Sequence, residues 1–94
     1  MRTEKEVLKD FEKLGYRIEN RTKFNRNENA FSLLKDFKYP EDDEPLIKEI
    51  EINKSIKSYK CFETFYYTPL EITMQEHKLL TELFTIWGWL LWLN

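Results

Sequence analysis

Ala30-Phe31-Ser32-Leu33-Leu34-Lys35-Asp36-Phe37 can be read two ways, and the choice decides the fold. Phe31 and Leu33 alternate as a half-buried strand requires, yet Leu33 and Phe37 also stand one helical turn apart. No capping box opens the stretch and Pro40 follows closely, so strand is the preferred reading, with helix as the alternative.

Upstream, Thr3-Glu4-Lys5-Glu6 reads as a capping box, in which the Thr3 hydroxyl and the Glu6 carboxylate each satisfy the other's backbone amide. Val7, Leu8, Phe11 and Leu14 follow at helical spacing and Gly15 supplies a left-handed end, which predicts a helix over about residues 4–14. Tyr16 and Ile18 alternate with Arg17 and Glu19 as a short strand would, and residues 20–29 are polar except for Phe24.

Downstream, Pro40 and Pro45 bracket four mutually repelling carboxylates, a loop. Ile50 and Ile52 alternate with Glu49 and Glu51, the pattern of a strand with one buried face. A turn near Asn53-Lys54-Ser55 leads to a further strand over Ile56 to Tyr67, rich in aromatics and closed by Pro69. Thr73-Met74-Gln75-Glu76 is a second capping box. It opens a helix whose apolar stripe is Leu79, Leu80, Leu83, Phe84 and Trp87, opposite Lys78, Glu82 and Thr85. Gly88 is placed to end it, before Trp89-Leu90-Leu91-Trp92-Leu93.

Short links between strands favour an antiparallel meander, and both helices must bury their stripes. The expected fold is α+β: a meander of about four strands flanked by N- and C-terminal helices packed on one face, in one domain spanning residues 1–94. Hydrophobic residues make up 41% of the chain, enough for a core beside 34% charged residues. That core must be aromatic and Leu/Ile in character, since Val7 and Ala30 are the sole Val and Ala. An AT-rich coding bias accounts for this scarcity without appeal to function.

No catalytic set emerges. His77 is the one imidazole and Cys61 the one thiol, and neither has an organised partner nearby in sequence. With one Cys and one His there is no zinc framework within the chain and no internal disulfide. Glu41, Asp42, Asp43 and Glu44 lack the alternation and the glycine of a calcium loop, and the two glycines make no phosphate cradle. No metal, cofactor or enzymatic activity is therefore expected. The N-terminus lacks an apolar signal core, so cytoplasmic residence is the default. The uncharged run from Leu83 to Leu93 is far short of the ~20 residues that span a bilayer.

Charge is segregated. Residues 17–38 carry six basic residues against three acids, +3, and residues 39–52 carry six acids against Lys48, −5. Arg17, Arg21, Lys23 and Arg26, interleaved with aromatics, are the candidates for a nucleic-acid surface, although the acidic block would repel the same backbone. The acidic loop, Glu41, Asp42, Asp43 and Glu44, could steer a basic partner protein. Trp89 and Trp92, past the helix end, are candidates for a protein contact or a homodimer patch if they face outward.

The segment from Pro69 to Leu80, continuing to Trp87-Gly88-Trp89, resembles the C-terminal end of small uncharacterised proteins encoded by phages and prophages of Gram-positive bacteria. In those proteins an I-T-x-E-E-H-x-L-L-like helix start leads to a W-G-W end. Gln75 stands here where an acid is commoner, and the likeness covers the last third of the chain. It implies a mobile-element accessory protein and brings no catalytic residues. The expected function is a non-enzymatic module that binds a host or phage protein, with nucleic-acid binding through the basic 17–38 region as the alternative.

Overall fold

Both capping boxes form as the sequence requires. The computed structural model describes residues 2–20, 30–41, 43–55 and 57–89. Helix α1 (Glu4–Lys13) starts on Thr3 and helix α2 (Met74–Ile86) on Thr73, each hydroxyl accepting from the amide three residues on. Four strands lie between them: β1 (Arg17–Asn20), β2 (Ala30–Phe37), β3 (Leu46–Asn53) and β4 (Ser58–Glu63). They form one antiparallel sheet in the order β1-β2-β3-β4. Residues 30–37 are therefore strand throughout.

Register explains which side chains meet the helices. Ile18, Leu33, Ile50 and Cys61 stand abreast across the sheet, and Phe31, Ile52 and Tyr59 form the next row. Leu33, Ile50 and Ile52 join Val7 and Phe11 of α1 and Leu79, Leu80, Leu83 and Phe84 of α2 in one buried cluster. A residue pair one position off belongs to the other side of the sheet. There the expected wet face is only partly wet: Ala30, Ser32, Leu34 and Glu49 are also buried. Ser32 Oγ donates to Glu49 Oε2 at 2.6 Å, so this carboxylate is satisfied inside the fold.

The two helices end alike. The Gly15 amide donates to Glu12 O and the Tyr16 amide to Phe11 O; at the other helix, Gly88 donates to Thr85 O and Trp89 to Phe84 O. With Gly15 at φ +99° and Gly88 at φ +78°, these are paired Schellman ends, whose geometry folds the residue after the glycine back onto the last turn. Tyr16 accordingly meets Phe11 edge-on at 5.6 Å, and Trp89 stacks on Phe84 at 4.6 Å. Both are buried.

The last strand differs from the expected 56–67 at both ends, starting at Ser58 because Lys57 still belongs to the turn. It stops at Glu63, and Pro69 does not close it but pairs back onto it, opposite Phe62. The chain turns over residues 64–66, and its return is fixed by the Glu63 amide donating to Thr68 O and the Leu70 amide donating to Cys61 O. Trp87 is half-buried: its indole N–H donates to Glu4 Oε1 at 3.0 Å, and Lys54 Nζ lies 4.6 Å over its ring. Arg2 clamps the two helices together through Asp10 and Glu82. Among the described residues, no helix is long and apolar enough to cross a membrane.

Candidate functional site

Trp89 faces inward. Read as a protein-contact candidate provided it faced outward, it is 7% exposed, because the Schellman end seats it on Phe84. The signal was in the sequence: Phe84 and Trp89 are the apolar pair that such an end brings together. Trp92 lies outside the described residues.

Of the basic candidates, Arg17 is described and is engaged on its own sheet, 3.2 Å from Asp36 and 3.7 Å from Glu19. Arg21, Lys23 and Arg26 lie outside the described residues. Glu41, Asp43 and Glu44 are exposed in the loop joining β2 to β3, while Asp42 lies outside the described residues. Among the described residues no group of His, Cys, Asp and Glu is arranged to hold a metal ion. His77 is exposed on α2, whereas Cys61 packs against the core, where burial pushes its thiol pKa up. A thiol held protonated is a poor nucleophile.

Two buried carboxylates organise the rest. Glu76, at the third position of α2, accepts from Tyr16 Oη at 2.5 Å and from Lys48 Nζ at 2.7 Å, and its Oε1 also accepts from the Thr73 amide at 3.0 Å. Burial alone would raise its pKa, but the bonds from Lys48, Tyr16 and Thr73 outweigh that and hold it below the usual carboxylate range. Burial, and then the bond to Glu76, push the Tyr16 phenol far above its ordinary value. Lys48 Nζ adds a bond to Glu71 O at 3.0 Å. This network ties the start of α2 to β3 and to the end of α1.

Glu63, 2% exposed at the end of β4, is satisfied differently. Its Oε1 accepts from the Phe65 amide at 2.6 Å and its Oε2 from the Tyr66 amide at 2.8 Å. The Thr64 amide donates to Ile47 O at 3.0 Å, pinning the turn to β3. The result is a fixed turn that holds three aromatic side chains in solvent: Phe65, Tyr66 and Tyr67 are 66%, 80% and 74% exposed. Tyr67 has φ +57°, a left-handed conformation unusual for a bulky residue, and its ring stacks on Phe62 at 5.8 Å. Strained backbone of this kind persists only where the surroundings impose it, and it gathers at binding sites.

Sequence reading missed this turn by extending the strand through Tyr67. A strand sends successive side chains to opposite faces, so three consecutive aromatics beyond Glu63 argued against one continuous half-buried strand. The acidic loop emerges from the same end of the sheet, since Lys48 pairs with Glu63 and Leu46 with Phe37. Tyr39, 42% exposed, belongs to that loop and meets Phe37 edge-on at 5.2 Å.

Compared with protein-family models, curated proteins and solved structures, the chain gives no match.

Proposed function

We propose that this chain is a non-enzymatic protein-binding accessory module whose docking surface is the end of the sheet carrying the 64–67 turn and the acidic loop. The observation that supports this reading most is the exposure of Phe65, Tyr66 and Tyr67 on a backbone held by Glu63. Exposed aromatics normally bear a cost in water, and contiguous ones mark contact surfaces. A turn already fixed loses little conformational freedom on binding, so its aromatic area converts efficiently into affinity. The resemblance of the C-terminal third supplies the setting, a phage or prophage factor acting on a host or phage protein in the cytoplasm.

Trp89 is not part of that surface, because it belongs to the core. Nucleic-acid binding is the weaker reading, since the acidic block at 39–52 would repel a phosphate backbone and the described basic candidate, Arg17, has carboxylate neighbours in Asp36 and Glu19. Affinity capture from a Gram-positive lysate tests the proposal. Wild type is expected to retain partners that a Phe65→Ala/Tyr66→Ala variant loses. Equal recovery by both would remove the turn from the function.

A further inference from the structure

We infer that the partner presents an arginine-rich basic segment at this end of the sheet, an inference that rests on the protein-binding reading above. Exposed aromatics alone do not specify an occupant; their electrostatic surroundings do. Of the loop that leaves the same end, Glu41, Asp43 and Glu44 are exposed carboxylates, against a single exposed cation, Lys38. The segment from Thr64 to Thr73 adds one further acid, Glu71, and no base, while Lys60 and Glu51, of opposite charge, border Tyr67 and Pro69 in a shared hollow. Glu63 offers no direct contact at this surface, because it is 2% exposed and both its oxygens accept from the turn's own amides.

Carboxylates beside tyrosine and phenylalanine faces form a surface matched to guanidinium groups. A carboxylate accepts two parallel N–H bonds from arginine, and an aromatic face attracts the same planar cation. Lysine satisfies the first requirement as a point charge but stacks less well. A polyanion is disfavoured on the same grounds, since phosphates would meet carboxylates of like sign.

The test is a titration of the isotopically labelled full chain, followed by backbone amide shifts, with three probes: a poly-arginine peptide, a poly-glutamate peptide and single-stranded oligothymidine. Perturbation at residues 39–44 and 65–67 by poly-arginine alone, weakening with added salt, is expected. A Phe65→Ala/Tyr66→Ala variant, unchanged in charge, should bind that peptide about tenfold more weakly. Equal binding by wild type and variant would mean attraction by charge alone and would overturn the inference, as would perturbation of the turn by the oligonucleotide. If lysate partners are lost in the variant while poly-arginine moves neither segment, the protein-binding reading stands and the basic-partner inference falls. If lysate recovery is also unchanged, both fall.

Discussion

Glu63 and Glu76 are both almost fully enclosed, at 2% and 3% exposure, yet they serve opposite ends. Glu76 is satisfied chiefly by side chains from distant parts of the chain, Tyr16 and Lys48, so it joins elements into a fold. Glu63 is satisfied by the amides of residues two and three positions away, so it shapes a local turn and leaves the turn's side chains outside. A buried charge must find partners wherever it sits. Which partners it finds separates a residue that holds the core from one that presents a surface.

The largest effect should follow from breaking the long-range network. Glu76→Ala leaves the mostly buried Lys48 ammonium without its carboxylate and is expected to cost about 3–5 kcal/mol, read by urea denaturation. Trp89→Ala, emptying the site over Phe84, should cost about 3 kcal/mol in the same assay. A cost near zero would mean that the tryptophan contributes no packing, contrary to its burial. Glu63→Ala is expected to cost about 2 kcal/mol, because two amides lose a charged acceptor, and to weaken partner capture as well.

The same network sets the pH dependence. Glu76 has a lowered carboxylate pKa, as do Glu6, through the Thr3 amide, and Asp10, through Arg2. Their stabilisation is present above the ordinary carboxylate value and is lost as pH falls through the folded values, below about pH 4. Tyr16 works at the other end. Its raised pKa favours the neutral phenol in the fold, so stability is full below about pH 10 and falls as pH rises beyond it. Tyr16→Phe should flatten this alkaline loss in a series of thermal melts, and an unchanged alkaline slope would contradict the network.

How much of this was legible follows from the range of the interactions. The capping boxes at Thr3 and Thr73, the glycine ends and the alternation of Ile50 and Ile52 are local, and each shaped the backbone as its spacing implied. The meander with both helices on one face followed from those elements. The Tyr16–Glu76 and Lys48–Glu76 contacts join residues 60 and 28 positions apart, and no local pattern announces them. The direction of Trp89 stayed open because position past the helix end was read without the Schellman geometry that folds it back. The aromatic turn was hidden by β propensity: Phe65, Tyr66 and Tyr67 look like strand residues one by one, and the Glu63 carboxylate bonding to the following amides ends the strand before them.

The smallest expected stability effect carries the most weight. Phe65→Ala/Tyr66→Ala removes exposed side chains from a turn whose backbone bonds remain, so its stability should stay within about 0.5 kcal/mol of wild type. That corresponds to a melting-temperature change of no more than about 4 °C. Partner capture by this variant, measured on a preparation whose melting temperature is that of wild type, tests the central claim most directly. Loss of the captured partners is the predicted result; full retention would contradict it.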